Sequence, residues 1–178
     1  MTLARSRRLA GLSLAAALGV AASGVVAGAV FPSTVSAQTP SATDAEFVMK
    51  AAVGNTFEIE EAKLARERAT DDRLKRYAER MIAEHQDALK KLQDAAGKSN
   101  TKADMTLDKP HQAMLDNLKT FNGKDFDKIY IADQIASHDE TVSLLSDYKQ
   151  NGGNKDLMSW ADNALPIVKD HKRMIDAM

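Results

Sequence analysis

The stretch from 74 to 95 repeats its apolar residues at alternating steps of four and three, and this spacing constrains the fold most strongly. The members of the repeat are Leu74, Ala78, Met81, His85, Ala88, Leu92 and Ala95. Such spacing places these side chains on one face of an α-helix and is typical of a helix packed against others in a bundle. One member, His85, is polar, although it lies in the middle of the face that packing would bury.

Three other stretches also place one polar residue on an otherwise apolar or small-residue face. The first contains Phe47, Ala51, Gly54, Glu58, Ala62 and Ala65; the next contains Ile131, Ile135, His138, Val142 and Leu145; the last contains Leu157, Ala161, Ala164, Val168, His171 and Ile175. The sequence therefore predicts four helices that each carry one polar group on the inward face. The other acidic residues of the first stretch, Glu61 among them, are interpreted as solvated surface.

Turn signals predict where these helices begin and end. The expected long helices cover about 44–69, 72–96, 124–150 and 154–178. Gly97 is expected to end the second helix, and Pro110 to begin a short helix within the long connection that follows. Because the other two connections are short, neighbouring helices must be antiparallel. The prediction for residues 44–178 is an all-α, antiparallel four-helix bundle with a long crossover that carries a short extra helix.

The first 37 residues have the pattern of a secretory signal peptide. Arginines within 5–8 precede an apolar run over 9–30, and small residues at 35–37 offer a cleavage site. An uncleaved membrane anchor is the alternative, and the paired arginine hints at the twin-arginine export route. Residues 38–43 are expected to form a flexible segment. We predict an exported protein, periplasmic or envelope-associated, that contacts a membrane only if the leader remains uncleaved.

Composition excludes several classes of function. The chain has no cysteine, which excludes disulfides, thiolate metal sites and a cysteine nucleophile. Removing the leader takes away three of the 24 basic residues and none of the 25 acidic ones, which leaves a net charge of −4. Without a basic patch, nucleic acid is not an expected partner, and no protein partner is indicated. No phosphate-binding loop or serine-histidine-aspartate pattern occurs, so the sequence favours a protein without catalytic activity.

The four inward polar residues form a candidate metal site. Imidazole and carboxylate ligands suit Zn²⁺, Fe²⁺, Mn²⁺ or Cu²⁺, and helical bundles hold such ions in their interior. Counted from the first turn, Glu58 and His85 lie within about 3 Å of the same height, so this pair is favoured. His138 and His171 differ by about 7 Å in straight helices, so their participation depends on a kink at Pro166.

Two other interpretations compete with a mononuclear metal site. A histidine in a helical core commonly stays neutral and bonds a carbonyl or hydroxyl group, so the same residues could form a buried hydrogen-bond network. That alternative describes a non-enzymatic structural or stress-related envelope protein. A di-iron centre needs a glutamate three residues before a histidine, but Ile82, Ile135 and Val168 occupy those positions. An oxygen-activating di-iron enzyme is therefore disfavoured.

Short segments spread over residues 45–175 resemble a known exported family. They are Phe47-Val48-Met49-Lys50-Ala51-Ala52, Glu58-Ile59-Glu60, Lys63-Leu64-Ala65, Tyr77-Ala78-Glu79-Arg80-Met81, Glu84-His85, Phe126-Asp127, Tyr130, Gln134 with His138, and Leu165-Pro166 with His171. The family they resemble is domain of unknown function 4142, although its members usually have aspartate where this chain has Glu84. The resemblance implies a ferritin-like four-helix fold and export to the periplasm or outer membrane, but it implies no reaction.

Overall fold

The computed structural model describes residues 42–178, which fold into five α-helices. They are α1 (Ala42–Arg68), α2 (Asp72–Lys98), α3 (Lys109–Lys119), α4 (Gly123–Asn151) and α5 (Lys155–Ile175). The predicted all-α class is confirmed for this part of the chain. None of these helices is long and apolar enough to cross a membrane. The predictions of a signal peptide and of a flexible segment over 38–41 concern residues outside the described part, and α1 already includes 42–43.

The four long helices pack side by side, each against two others. Helix α1 contacts α2 and α4, and α5 contacts the same two helices, so the four enclose a common interior. The α1–α2 and α4–α5 connections are three residues long, which makes each of these pairs antiparallel. Helix α3 lies within the long connection between α2 and α4 and packs against both α1 and α4.

Side chains at the helix ends explain two of the turns. Asp71 caps α2 by accepting from the Arg73 amide at 2.8 Å, and Asn154 caps α5 by accepting from the Asp156 amide at 2.9 Å. The expectation that Gly97 ends α2 is wrong, since the helix continues to Lys98.

The left-handed residue that ends α2 is Asn100 rather than a glycine. Its φ is 55°, and the amide of Thr101 donates to the Ala96 carbonyl at 2.8 Å. This is the Schellman arrangement, in which asparagine can replace glycine because it tolerates positive φ. Gly97 keeps its helical conformation because the stop signal is supplied three residues later.

Two apolar cores lie along the interior, with a polar layer between them. The first core includes Phe47, Val48, Leu92, Leu145, Leu157 and Trp160, and the second includes Leu74, Tyr77, Met81, Phe126, Tyr130 and Ile175. The polar layer consists of Asn55, Glu58, Glu61, His85, Gln134, His138 and His171, all buried. On α2, α4 and α5 these polar positions fall between the residues of the two cores, and on α1 they flank Ile59 of the first core.

Candidate metal centre

The polar layer brings together three histidines from three different helices. His85 lies on α2, His138 on α4 and His171 on α5, with exposed fractions of 4%, 1% and 1%. Their ring centroids are 5.9 Å apart for His85 and His138, 5.2 Å for His85 and His171, and 5.5 Å for His138 and His171. One ring nitrogen of each lies within 4.8 Å of the other two. We call this group the histidine triad.

The rings of His138 and His171 lie 5.5 Å apart, closer than the axial offset of about 7 Å expected for their positions in straight helices. His138 lies about 13 residues before the end of α4 and His171 about 16 after the start of α5, a difference of about 4.5 Å. Helical side chains lean towards the N-terminus of their own helix, so on antiparallel helices they lean in opposite axial directions. Here the two rings lean towards each other. The helix continues through Pro166, and a contribution of a kink there stays a prediction.

Each histidine is held through one ring nitrogen by an oxygen acceptor. The bonds are His85 Nδ1 to Asn55 Oδ1 at 3.0 Å, His138 Nδ1 to the Gln134 carbonyl at 2.8 Å, and His171 Nε2 to Glu84 Oε2 at 2.6 Å. Because each partner is an acceptor, the ring nitrogen in each bond carries the proton and donates. Asn55 is itself oriented, since its Nδ2 donates to the Ala51 carbonyl at 2.7 Å. The hydrogen bonds therefore fix both the orientation and the tautomer of each ring.

The opposite nitrogen of each ring has no hydrogen-bond partner among the described residues. These atoms are Nε2 of His85, Nε2 of His138 and Nδ1 of His171, and all three are buried. A buried acceptor without a partner costs free energy and needs an explanation. Metal-binding histidines show this same division, with one nitrogen on the ion and the other donating to a carboxylate or carbonyl.

The spacing of the triad nitrogens suits a metal ion after a small contraction. Nitrogens bound tetrahedrally at about 2.1 Å from zinc lie roughly 3.4 Å from one another. Nitrogens at the 4.8 Å limit of the triad lie farther apart than that. Each ring would need to move inward by less than about 1 Å, which is within the reach of small side-chain adjustments.

Burial keeps the triad in the form that binds metals. Loss of hydration lowers the pKa of His138 to about 4 and that of His85 well below its usual value. Burial also lowers the pKa of His171, although its bond to Glu84 opposes that shift. All three imidazoles are therefore neutral at pH 7, with a lone pair on the free nitrogen.

Glu84 belongs to a charged group that supports the triad from outside. Arg80 Nε donates to Glu84 Oε1 at 2.7 Å, and another guanidinium nitrogen donates to Asp170 Oδ2 at 2.8 Å. Glu84 thus precedes His85 in sequence but holds His171 on the neighbouring helix. Sequence reasoning missed this role because adjacent residues of one helix point in different directions.

Glu58 lies in the polar layer, where it contacts Gln134 and His138. Its Oε2 accepts from Gln134 Nε2 at 2.5 Å, and its Oε1 is 3.5 Å from His138 Nδ1. That nitrogen is the one already held by the Gln134 carbonyl, and His85 bonds Asn55 instead. The fold thus brings the three histidines together. Glu58 approaches one of them, His138, on the side of its hydrogen-bonded nitrogen. Whether Glu58 ligates a metal stays a prediction.

Gln134 joins Glu58 to a second buried carboxyl group, which sequence reasoning placed at the surface. Its Nε2 also donates to Glu61 Oε2 at 3.1 Å, and its Oε1 accepts from the Tyr77 hydroxyl at 3.2 Å. Glu61 has an exposed fraction of 0%, so the surface interpretation was wrong. The available signal was its position three residues after Glu58, on the same helical face. We call Glu58, Glu61, Gln134 and Tyr77 the carboxyl cluster.

Burial has the opposite effect on the acids of the carboxyl cluster. Loss of hydration raises the pKa of Glu58 to about 8, despite its bond from Gln134. Burial raises the pKa of Glu61 further, and the neighbouring Glu58 and Asp133 add to the shift. Both groups are therefore protonated at pH 7, and the whole polar layer is uncharged.

Fold and site together define an all-helical protein with a buried triad of oriented, neutral histidines. The chain belongs to the family described as Domain of unknown function (DUF4142), whose model matches residues 30–178. The resemblance drawn from the sequence is thereby confirmed. Neither a curated protein nor a solved structure gives a significant match. The family description names no activity, so a function has to be argued from the triad.

Proposed function

We propose that this protein binds one divalent transition-metal ion through the histidine triad. The ligand atoms are Nε2 of His85, Nε2 of His138 and Nδ1 of His171. The observation that supports this assignment most strongly is that all three are buried, unpartnered lone pairs on rings whose other nitrogen donates to an oxygen. Without a cation, three buried acceptors that have no partner would destabilise the interior.

The donor set narrows the choice of ion. Among the candidates Zn²⁺, Fe²⁺, Mn²⁺ and Cu²⁺, neutral imidazole nitrogens suit zinc, copper and iron, whereas manganese prefers oxygen ligands. Three nitrogens with no thiolate are a known arrangement for zinc. We therefore rank zinc and copper first and manganese last.

The proposal also covers the type of helical bundle and the cellular compartment of the protein. The ring of four long helices supports a ferritin-like antiparallel four-helix bundle, in which metals bind between facing helices. The arginine-led apolar leader supports export, so the protein would meet its ion in the periplasm or at the envelope. The function assigned is binding or retention of the ion, without a catalysed reaction.

A second candidate function is favoured by the carboxyl cluster. Gln134 joins Glu58, Glu61 and Tyr77 across three helices, as a buried network that stabilises the fold would do. Under this alternative the protein is a non-enzymatic structural or stress-related envelope protein, and the triad is an extension of the network. It predicts that no metal is bound.

Metal content and thermal unfolding of the full chain separate the two candidates. We expect about one zinc or copper ion per chain by elemental analysis and a Tm that falls when a chelator is added. His138→Ala should lose the ion, whereas His111→Ala should keep it, because His111 lies on α3 and bonds Asp108 outside the triad. If neither the native protein nor protein incubated with excess Zn²⁺, Cu²⁺, Fe²⁺ or Mn²⁺ holds an ion, the metal proposal is wrong.

A further inference from the structure

A small cavity adjoins the histidine triad. Its volume is about 40 Å³, and both His85 and His171 line it. Its wall is otherwise mainly apolar, with Trp160, Leu145 and Val168, and it also includes Asn55 and Glu84. One water molecule needs about 10–15 Å³ by the same measure, so the cavity has room for a ligand of two or three atoms.

Gly54 lines both this cavity and a larger neighbouring one. A neighbouring cavity of about 190 Å³ shares Lys50, Gly54, Thr141 and Leu144 with it. The Lys50 side chain is 54% exposed, which places this shared boundary near solvent. A Cβ added to Gly54 would meet no atom within 4 Å, so this position in α1 borders open space. Glycine is a poor helix former, and here its missing side chain leaves open space beside both cavities.

The triad leaves the coordination of an ion incomplete. Three histidines with a free fourth position are the arrangement of open metal sites, which accept an exogenous ligand. The 3.5 Å contact of Glu58 with the triad involves the held nitrogen of His138, rather than a free one. The described side chains around the triad therefore supply no obvious fourth ligand.

Charge determines which kind of ligand fits that position. Neutral imidazoles do not offset the charge of a divalent ion, and a buried, uncompensated charge is costly. The carboxylate nearest the triad, that of Glu84, is already paired with Arg80 at 2.7 Å. A singly charged anion would reduce the net charge of the site, and the apolar wall would strengthen its attraction to the ion.

We propose that the metal centre is an open site whose fourth ligand is a small monovalent anion that enters past Gly54. This inference rests on the proposed function, because it needs an ion on the triad. It goes further by giving the site a ligand class, anions of two or three atoms, and a route by which they arrive. Larger anions should be excluded by the size of the cavity.

Azide binding to the cobalt-loaded full chain tests the proposal. Co²⁺ replaces zinc on nitrogen ligands and has visible absorption bands that respond to a change of ligand. Azide should shift these bands with saturation, whereas a bulky monovalent anion such as benzoate should leave them unchanged. If Co²⁺ shows no bands of a bound ion, the proposed function fails and this inference fails with it. If Co²⁺ binds but azide changes nothing, only the open site is disproved.

Substitutions at two glycines test the route. Gly54→Leu should weaken azide binding at least about tenfold while the cobalt bands remain, because its side chain would occupy the route. Gly54→Ala adds only a Cβ in open space and should fold at least as stably, with a smaller effect of the same sign. Gly97→Leu is the control, since a Cβ there also meets nothing and the site lies about 18 Å from His85 along α2. Equal azide affinity in Gly54→Leu and Gly97→Leu would overturn the assigned route.

Discussion

The histidine triad and the carboxyl cluster share one buried layer but satisfy their polar atoms differently. In the triad every N–H has an oxygen acceptor, and every unpartnered atom is a nitrogen lone pair. In the carboxyl cluster a single amide, that of Gln134, donates to both acids and accepts from Tyr77. The unpartnered atoms of the triad are therefore lone pairs suited to a cation, whereas the cluster is joined through Gln134 and leaves one oxygen each of Glu58 and Glu61 without a hydrogen-bond partner.

This difference separates a binding role from a stabilising role within one layer. One ring nitrogen of each triad histidine lies within 4.8 Å of the other two, as ligands of one ion must. In the cluster the shared Gln134 amide lies between Glu58 and Glu61. We therefore expect substitutions in the triad to change metal binding more than stability, and substitutions in the cluster to do the reverse.

The largest effect on stability is expected for Gln134→Leu. This substitution leaves Glu58, Glu61 and Tyr77 without their shared partner and should lower the free energy of unfolding by about 3–5 kcal/mol. The Gln134 main-chain carbonyl remains, so His138 stays oriented and the folded protein should still bind one metal ion. Urea unfolding and metal content measure the two effects.

Gln112→Leu is the control, since the Gln112 side chain bonds only an exposed carboxylate, that of Asp116. Loss of metal from folded Gln134→Leu protein would contradict the assignment of metal binding to the triad and of stabilisation to the cluster.

Metal addition is expected to produce the next largest effect. Zinc at about a hundredfold excess over its dissociation constant should raise the free energy of unfolding by about 2.7 kcal/mol. His138→Ala should abolish this increment, whereas Glu61→Gln should retain it, because Glu61 belongs to the cluster. Thermal unfolding with and without zinc gives the increment for each variant. An increment that disappears in Glu61→Gln would mean that the ion binds in the cluster instead.

A smaller effect on metal binding is expected for a residue that orients a triad histidine than for the histidine ligands themselves. Asn55→Ala removes the acceptor of His85 and should weaken zinc binding about 10- to 100-fold, the usual range for a partner of a metal ligand. Asn163→Ala is a matched control, because Asn163 makes the same side-chain bond to a carbonyl four residues earlier but is exposed. Competition with a chromophoric chelator measures both affinities. Equal affinities would show that Asn55 does not orient His85.

The effect of pH on the free energy of unfolding should be the most gradual. Its sign should be opposite in the histidine triad and in the carboxyl cluster. His138 has a folded pKa of about 4 against 6.5 unfolded, so its contribution to stability falls as the pH drops from 6.5 to 4. Glu58 has a folded pKa of about 8 against 4.5 unfolded, so its contribution falls as the pH rises from 4.5 to 8. The two oppose each other between 4.5 and 6.5, and only the carboxyl effect remains above 6.5.

Urea unfolding across this pH range, with a chelator present, measures both slopes. Glu58→Gln should flatten the decline above pH 6.5 and leave the decline on the acid side. A decline above pH 6.5 that is equally steep in Glu58→Gln would show that Glu58 is already ionised in the folded protein at neutral pH.

Sequence spacing was enough to predict the helices and the inward position of four polar residues. Glu58, His85, His138 and His171 each interrupt an apolar face, and all four are buried. The partners of these residues were not predicted, because Asn55 and Glu84 act on rings of neighbouring helices. Asn55 carried a usable signal, since it lies three residues before Glu58 on the same face.

The sequence by itself determined the helices, their inward faces and the family, because periodicity is a property of each helix alone. Only the tertiary structure decided which polar residues meet. Packing sets the rotation and axial offset of neighbouring helices. These bring the ring centroids of His138 and His171 to 5.5 Å and place Glu58 near the hydrogen-bonded nitrogen of His138. Packing also decided which nitrogen of each ring is held and which is free. The candidate metal centre thus depends on contacts between helices that no pattern along one helix records.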